Sequence, residues 1–423
     1  MLLALMTSLA LTTATQADWP MYRRDYRNSG SVPGPAHAAR VSLQRRWRFL
    51  ADSRVTSTPT IAGGIVYAGT WKGGVVALDE RDGHLLWRAS LGAGPYWYYG
   101  GPRGVIGSIA VADGVAYAVS GACEAGAFDA RTGRERWRTK ICDTSKNDDT
   151  YASPVVVDGK VLLGIDVIVD LPTDRGREIA LDARTGRLAW TLYPQLYAGT
   201  GAGISATPAV DAARGLAYIG TGNPTPMRDP PPGPDAYADS LLAVDVGSGQ
   251  IEWTFGPVNP HDTHDFDFFA SPNRFVSGGR RLVGEANKNG TYYALDERTG
   301  REVWRTAVMP EIIGTPAVKG DTVYVTAYAD SAAIGGIAAL RASDGRVMWM
   351  RERSGMYESP TPWGNVVFAT EVGGWLDAFA GGTGMLLGRW NVGGPLRGRG
   401  PSIADGKLFI AARDSLIAFE LSP

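Results

Sequence analysis

The sequence predicts an all-β protein, an eight-bladed β-propeller whose blades are four-stranded antiparallel sheets. Three observations carry this prediction. A hairpin motif containing Asp, Gly and Trp recurs at a fixed spacing, a second hairpin pattern precedes each copy, and one strand-like segment near the N terminus lacks a hairpin of its own. Self-similarity at a regular period is the signature of a repeat architecture.

The recurring motif is typified by "ALDERDGHLLW", "AFDARTGRERW" and "ALDERTGREVW". In five copies Gly follows Asp by four positions and Trp follows Gly by four, beginning at Asp79, Asp129, Asp182, Asp245 and Asp296. The apolar pair before Asp is typical of a strand end, Asp accepts backbone N–H bonds in the turn, and Gly takes a positive φ. Trp then lies on the returning strand, and we expect it to pack between blades.

Upstream of each copy lies a second hairpin, such as "STPTIAGGIVYAGT" or "GTPAVKGDTVYVTA". Each repeat therefore contains four short strands, A to D. There are eight upstream hairpins, and the last, in "GPSIADGKLFIAARDSLIAFEL", has no strand D after it.

The missing strand lies at the other end of the chain. "LQRRWRFL" around Trp47 has the pattern of a strand D without a preceding hairpin. It is predicted to complete the last blade and close the ring, because closure removes exposed edge strands. We predict one propeller domain over residues 18–423 and no second domain.

Residues 1–17, "MLLALMTSLALTTATQA", are predicted to be a cleaved export signal, although no Lys or Arg precedes the apolar part. No later apolar stretch approaches the roughly 18–20 residues of a membrane span. The net charge of −1 gives no electrostatic bias toward nucleic acid or a membrane surface. These features predict a periplasmic or secreted protein.

The chain has two cysteines, Cys123 and Cys142. We predict that they form a disulfide in an oxidising compartment, and two buried unpaired thiols are the alternative. Neither belongs to a CxxC or CxxCH pattern, which argues against a cysteine zinc site and against covalently attached haem.

The loops differ between the two faces of the predicted ring. In an antiparallel blade the B–C and D–A loops leave from one face, and the A–B and C–D turns leave from the other. The long insertions, such as "GPYWYYGGPRG" and "CDTSKNDDTY", all fall in B–C or D–A loops. A functional site is therefore expected on that face, although a large ring could also simply tolerate insertions there.

Three motifs on that face carry candidate functional residues. "NPHDTHDFDFFASPN", between blades four and five, contains Asp265; "YIGTGNPTP" ends strand B of blade four and contains Asn223; "EANKNGTYYALD" forms the B–C loop of blade five and contains Lys288. Each is an ordinary turn sequence by itself. Their positions on adjacent blades predict that the three side chains converge.

The first of these motifs has a second interpretation. Its histidines His261 and His264, with one aspartate, could supply a metal site, but one short loop rarely supplies a complete ligand set. Its acids and histidines could also be turn formers.

The repeats and these loops resemble the quinoprotein (PQQ-type) β-propeller family, and most of all its polyvinyl-alcohol-dehydrogenase-like branch. The resemblance implies oxidation of an alcohol with PQQ and calcium as cofactors. At the matching positions it implies Asp265 as catalytic base and metal ligand, Asn223 as a calcium ligand, and Lys288 with its neighbour Asn289 as cofactor-binding residues. Because the chain has no haem motif, a separate electron acceptor such as a cytochrome c is implied.

The resemblance also concerns positions with weaker matches. Arg175, in "DRGREIALD", is implied to pair with a cofactor carboxylate, and Asp170 lies one position from an implied calcium-ligating acid. Ser205 stands where many relatives carry the Trp on which the cofactor ring stacks, and the family's vicinal cysteine pair is absent. The aromatic run Tyr96–Tyr99 is the alternative contact for the ring, and core packing or an adhesive surface is the other explanation of these aromatics.

A rival hypothesis comes from a different functional class. Many propellers with these repeats bind no cofactor and act as scaffolds, such as the outer-membrane protein assembly lipoprotein. The fold alone does not choose between an enzyme and a scaffold.

Overall fold

The computed structural model describes residues 18–95, 103–167, 175–194, 200–225, 237–257, 264–308, 311–329, 334–394, 398 and 400–423. Within these ranges the chain forms eight antiparallel blades, seven of four strands and one of five. Innermost strands of consecutive blades contact each other around the ring. The predicted all-β, eight-bladed propeller is confirmed. The predicted export signal, residues 1–17, lies outside the described residues.

Each of the first four blades runs from strand A to strand D in chain order. Their strands are, in blade 1, Thr60–Ala62, Ile65–Gly69, Gly74–Asp79 and Leu85–Ser90; in blade 2, Ala110–Ala112, Val115–Ser120, Glu124–Asp129 and Glu135–Lys140; in blade 3, Val155–Val157, Lys160–Val167, Arg177–Asp182 and Leu188–Leu192; in blade 4, Ala209–Asp211, Leu216–Gly220, Leu241–Asp245 and Ile251–Phe255.

Blades 5 to 7 repeat this order, and blade 8 takes its strand D from the N-terminal end of the ring. Their strands are, in blade 5, Asn273–Ser277, Arg280–Ala286, Thr291–Asp296 and Glu302–Ala307; in blade 6, Ala317–Lys319, Thr322–Ala329, Ile334–Arg341 and Val347–Ser354; in blade 7, Thr361–Trp363, Val366–Glu371, Trp375–Ala380 and Leu386–Asn391; in blade 8, Ser402–Ala404, Lys407–Ala412, Ser415–Ser422 and Ser42–Leu50.

The loops contain short elements of secondary structure. A 3-10 turn, Thr144–Lys146, precedes the two-residue strand Asp148–Asp149, which adds to strand B of blade 3. Another small pair joins Thr200–Gly201 to Pro224–Thr225.

The ring closes as the sequence predicts. The strand Ser42–Leu50 pairs antiparallel with Ser415–Ser422, and the register shifts once, between Arg45 and Trp47. The Trp47 ring lies 5.9 Å from the Phe409 ring, and one buried apolar cluster joins the last blades to blade 1. This closure leaves neither end of the ring with an unpaired edge.

The repeated tryptophans pack between blades, as predicted. In each case the indole N–H donates to a backbone carbonyl of the next blade; the seven are Trp47, Trp87, Trp137, Trp190, Trp253, Trp304 and Trp349. The turn glycine of the next blade lies against the indole. In blade 1, Gly83 has φ 73°, and a Cβ atom there would lie 2.7 Å from the Trp47 ring. The repeat therefore needs Gly for both backbone conformation and space.

Hydroxyl groups link the inner strands around the channel. Two residues before strand A, a Ser or Thr Oγ accepts the backbone N–H of the equivalent residue in the preceding blade. These bonds are 2.8–2.9 Å and connect Ser108 to Ser153, Ser153 to Thr207, Thr207 to Ser271, and Ser271 to Thr315.

Residues 19–32, which we call the N-terminal strap, run around the inside of the channel. Their backbone or side chains contact strand A of blades 1 to 7 in succession, through Ile61, Val111, Val156, Val210, Arg274, Val318 and Pro362. Trp19 and Arg23 of the strap are fully buried. The strap lines the channel at the level of strands A, and no pattern in the sequence indicated it.

Cys123 and Cys142 form a disulfide within blade 2, as expected. Among the described residues, no helix has the length and apolar character needed to cross a membrane.

Candidate active site

The structure brings Asn223, Asp265 and Lys288 together at the mouth of the channel. Oδ1 of Asp265 accepts a hydrogen bond of 2.6 Å from Asn223 Nδ2 and lies 2.9 Å from Lys288 Nζ. The Asp265 side chain is 61% exposed, whereas that of Lys288 is 12% exposed. An accessible carboxylate is thus held against a largely buried cation.

Backbone contacts between loops fix these side chains. The segment after strand B of blade 4 is tied to its neighbour by bonds from Gly222 N–H to the Gly203 carbonyl and from Ala202 N–H to the Asn223 carbonyl, both 2.7 Å. The backbone is hydrogen-bonded at Gly222 and at Asn223. These bonds hold the side-chain amide of Asn223 toward Asp265.

The B–C turn of blade 5 is hydrogen-bonded to the loop that carries Asp265. The Lys288 N–H donates to the Asp267 carbonyl at 3.0 Å, and the Asn287 side chain donates to the Phe266 carbonyl at 2.6 Å. Lys288 and Asp265 therefore belong to one locally rigid unit, although they lie in different loops.

Asp267 belongs to the same cluster, and sequence reasoning missed it. Its side chain is 8% exposed, its Oδ1 lies 2.9 Å from Lys288 Nζ, and its Oδ2 lies 3.4 Å from Asn223 Nδ2. The signal was the Asp-x-Asp spacing, since residues two apart in extended backbone point to the same side. The next residue, Phe268, points to the other side of the backbone and is buried in the apolar core.

The pKa values in this cluster depend on burial and on mutual charge. Burial raises the pKa of Asp267 to about 7; the Lys288 charge opposes this rise, and the Asp265 charge adds to it. Burial alone lowers the pKa of Lys288, but the attraction of Asp267 and Asp265 outweighs burial, so this pKa lies above its usual value. Lys288 is thus a permanent cation in the site.

A second buried carboxylate, Asp166, lies near this cluster. It accepts a bond of 2.6 Å from Ser205 Oγ and one of 2.8 Å from the Val167 N–H. Burial raises the pKa of Asp166, and the Ser205 bond partly offsets the rise. Ser205, at the position where the resemblance implies a stacking Trp, instead holds this acid in place.

A cavity of about 320 Å³ opens in front of Asp265 and Lys288. Apart from Tyr22 of the strap, its walls come from D–A loops, B–C loops and adjoining strand ends. Six aromatic residues line it: Tyr22, Trp71, Tyr151, Phe269, Tyr328 and Tyr357. The cavity therefore lies on the face that loop parity predicts, with aromatic walls drawn from positions other than 205.

The strap and the aromatic pairs give the cavity fixed walls. The Tyr22 hydroxyl donates to Thr315 Oγ1 at 2.8 Å. The Phe269 ring lies under the Lys288 ammonium, 5.2 Å from Nζ, and meets the Tyr151 ring edge-on at 5.8 Å. The cation of the site thus rests on an aromatic face.

Two predicted cofactor-binding residues lie elsewhere. The Arg175 guanidinium stacks on the Tyr193 ring at 4.2 Å, and Arg175 is not among the residues lining the cavity. Asn289 Oδ1 accepts the Thr291 N–H at 2.9 Å, which is a turn-forming contact. Their roles in cofactor binding stay predictions.

Other predicted residues fall partly outside the described chain. His264 is exposed and stacks on Phe266, with ring centroids 4.8 Å apart. Asp170, His261 and the run Tyr96–Tyr99 lie outside the described residues.

The donor groups of the cluster suit calcium in chemistry but are not assembled around a cation. Asn223, Asp265 and Asp267 offer the amide and carboxylate oxygens that Ca²⁺ takes. However, the described residues contain no group of three His, Cys, Asp or Glu placed to hold a metal ion. The Lys288 ammonium lies between the two carboxylates, and Asn223 points its amide nitrogen at Asp265.

The cavity fits a flat anionic cofactor such as PQQ better than the cluster fits a preformed metal site. Its volume lies in the range of small-molecule sites, which are mostly lined by apolar and aromatic groups with a few polar ones. Lys288 supplies positive charge at one wall.

Two family models match the sequence. The model described as "Glucose/ethanol/alcohol dehydrogenase, beta-propeller domain" matches residues 144–326, and that described as "Outer membrane protein assembly factor BamB" matches residues 44–98 and 237–422, more than half of the chain. Both describe PQQ-type propeller repeats. The chain belongs to the quinoprotein (PQQ-type) β-propeller family.

Individual quinoprotein-family relatives extend this result. A polyvinylalcohol dehydrogenase of Pseudomonas sp. is 24% identical, over 94% of this chain and 73% of the relative. The structure of quinohemoprotein alcohol dehydrogenase from Comamonas testosteroni shares the fold with a TM-score of 0.80 at 19% identity, covering 96% of this chain and 81% of that one. BamB from Moraxella catarrhalis gives a TM-score of 0.65 at 17% identity, covering 90% and 100%.

Proposed function

We propose that this chain is an exported PQQ-dependent dehydrogenase that oxidises an alcohol and passes the electrons to a separate acceptor, such as a cytochrome c. The observation that carries the proposal is the exposed Asp265 carboxylate, held by Asn223 and Lys288 at the wall of an aromatic cavity. The likeness to a polyvinylalcohol dehydrogenase over most of the chain supports the reaction class.

Asp265 is the proposed catalytic base. In the part of the chain that the structure describes, both of its side-chain contacts are to Oδ1. Oδ2 therefore remains to accept the proton of the alcohol hydroxyl, and general-base help of this kind is typically worth 10²–10⁴-fold in rate. Its 61% exposure leaves room for a substrate to approach.

Lys288 is the proposed electrostatic residue of the site. The bound quinone supplies the acceptor for the two electrons and the hydrogen that leave the alcohol. Lys288 presents a cation whose position is already fixed by Asp265, Asp267 and the Phe269 ring. A preoriented charge stabilises developing negative charge without reorganisation during the reaction.

Calcium is proposed as the second cofactor, with Asn223 and Asp265 as ligands and Asp170 as a further acid. For Asn223 to serve as a ligand its amide must turn over, because the nitrogen now faces Asp265. The cluster offers more carboxylates than cations within contact distance, which favours binding of a cation.

Features of the chain support the proposed export and the proposed separate electron acceptor. The disulfide between Cys123 and Cys142 supports an oxidising compartment, as does the apolar segment 1–17. The reduced cofactor must be reoxidised, and the sequence contains no CxxCH motif for a haem of its own.

The test is dye-linked alcohol oxidation after incubation of the purified protein with PQQ and Ca²⁺, with PQQ affinity measured separately. Asp265→Asn is nearly isosteric, so it should keep PQQ affinity and lose at least about 10²-fold in turnover. Lys288→Ala should weaken both affinity and turnover. The control is Asp158→Asn, in an A–B turn on the opposite face with a side chain 81% exposed, which should change neither.

A non-catalytic scaffold is the second candidate. The match to the assembly-factor model over residues 44–98 and 237–422 and the likeness to BamB favour it. Absence of any PQQ affinity in the wild-type protein with calcium present would reject the dehydrogenase and favour the scaffold.

A further inference from the structure

Across the cavity from Lys288 lies a pair formed by Arg54 and Trp71. Arg54 belongs to the D–A loop that enters blade 1, and Trp71 belongs to the B–C loop of blade 1. The guanidinium carbon of Arg54 lies 4.5 Å from the centroid of the Trp71 ring. Both residues line the central cavity.

The Trp71 indole is fixed on two sides. Its backbone N–H donates to the Arg54 carbonyl at 2.9 Å, and its Nε1–H donates to Thr56 Oγ1 at 3.0 Å. A further bond of 3.0 Å runs from the Lys72 N–H to Ser53 Oγ. The two loops are thus joined, and Arg54 lies on a ring that is already oriented.

Blade 1 and blade 5 are four blades apart in a ring of eight, so they face each other across the channel. Lys288 lies on the blade 5 wall and Arg54 on the blade 1 wall of the same cavity. A ligand that spans the cavity would meet a cation at each end.

Within the described residues, the charge of Arg54 is not neutralised by an acidic side chain. Among the residues that the structure describes, no carboxylate forms an ion pair with Arg54; the neighbouring acid, Asp52, faces Arg88 at 3.5 Å. A guanidinium stacked on an aromatic ring keeps its planar donor edge available, and this edge matches a carboxylate.

We propose that Arg54, oriented by Trp71, is a cofactor-binding residue that pairs with a carboxylate of the planar, tricarboxylate quinone on the wall opposite Lys288. This inference rests on the proposed function. It assigns to Arg54 the contact that the sequence resemblance implied for Arg175, which stacks on Tyr193 away from the cavity lining. With cations at both walls of the cavity, Arg54 would hold a carboxylate at one end and Lys288, beside Asp265, would face the other end of the ligand.

The experiment measures PQQ affinity by titration calorimetry in the presence of Ca²⁺ and without substrate. Arg54→Gln should weaken PQQ binding about tenfold, since a charge-assisted hydrogen bond is lost at a site still open to solvent. Trp71→Leu should weaken it in the same direction, because Arg54 loses its support. The matched control, Arg88→Gln, removes a cation from the same blade outside the cavity lining and should leave affinity unchanged.

A second measurement tests the chemical basis. The wild-type protein should prefer PQQ over its trimethyl ester, and the preference should fall with increasing KCl. In Arg54→Gln both the preference and its salt dependence should be reduced, while the melting temperature stays that of the wild type because Arg54 is exposed.

The outcomes separate the two proposals. If wild-type protein binds PQQ and Arg54→Gln binds it equally well with the same ester preference, the assignment of Arg54 is overturned and the dehydrogenase proposal stands. If Arg54→Gln keeps PQQ affinity but raises KM for an acidic alcohol, the residue serves the substrate and the assignment to the cofactor is overturned. If the wild type binds no PQQ, both proposals fall.

Discussion

Replacement of Asp267 by Asn should change how stability depends on pH. Burial raises the pKa of the Asp267 carboxyl to about 7, with Lys288 opposing and Asp265 adding to the rise. In the unfolded chain an aspartate ionises near pH 4. Between about pH 4 and pH 7 the folded protein therefore binds more protons at this site than the unfolded chain does. The free energy of unfolding then falls as pH rises through this window, and the full penalty is present above it.

The size of the effect follows from the shift. A difference of roughly three pKa values, at about 1.36 kcal/mol each, corresponds to a penalty on the order of 4 kcal/mol at high pH. Asp267→Asn keeps the shape of the side chain and removes the ionisation, while Lys288 keeps its contact of 2.9 Å with Asp265. The variant should gain unfolding free energy relative to the wild type at pH 8 and far less at pH 5.

The assay is urea unfolding between pH 5 and pH 8, followed by tryptophan fluorescence. Asp158→Asn is the control, because its side chain is 81% exposed and lies in a turn far from the cluster; its profile should run parallel to that of the wild type. If the Asp267→Asn profile also runs parallel to the wild type across this range, Asp267 does not ionise near pH 7 and the account of the cluster is wrong.

Four other perturbations test the ring, the disulfide and the metal. Trp47→Ala should lower the free energy of unfolding by about 3–5 kcal/mol, as for other large aromatic truncations in cores. Deletion of residues 42–50 should lower the melting temperature further. An unchanged melting curve after the deletion would contradict closure of the ring by this strand. Cys123→Ser opens a cross-link that spans 19 positions and should cost about 3 kcal/mol, and two alkylatable thiols in the native wild type would reject the disulfide. Ca²⁺ should raise the melting temperature of the wild type but not of Asn223→Ala, and equal shifts would exclude Asn223 as a ligand.

The ring was predictable because its determinants are local and repeated. Asp, Gly and Trp each perform one task in every copy, and the structure shows that task in the bond from Trp47 to the Glu80 carbonyl and in the closeness of Gly83 to the Trp47 ring. Strand parity, a purely topological argument, then gave the face of the cavity. The convergence of Asp265 and Lys288 followed from these two arguments together.

The strap was not predictable for the opposite reason. "DWPMYRRDYRNSG" has neither the alternation of a strand nor the periodicity of a helix, and its partners lie as far away as Val318 and Pro362. Such contacts depend on the completed ring. No local pattern in residues 19–32 indicates seven partners that are distant in sequence.

The aromatic walls of the cavity were also not predictable from local sequence patterns. Ser205 lacks the expected ring, and Tyr151, Phe269 and Trp71 supply aromatic surface from three separate blades. In the sequence each of these residues is one aromatic among many, and only their shared position at the channel mouth distinguishes them.

The position of the strap affects which face of the ring can form a ligand-binding site. The strap is bonded to strand A of blades 1 to 7, and Tyr22, whose hydroxyl donates to Thr315, is the strap residue that lines the cavity. Apart from Tyr22, the described lining of the cavity comes from the B–C loops, the D–A loops and adjoining strand ends, so a ligand that enters from that face meets Asp265 and Lys288. That face also carries the long insertions, whereas the opposite face repeats the same short turns. Because the strap and the inner strands are bonded to one another around the ring, we expect changes in substrate or cofactor recognition to arise in loops that can vary without disturbing the bonds between blades.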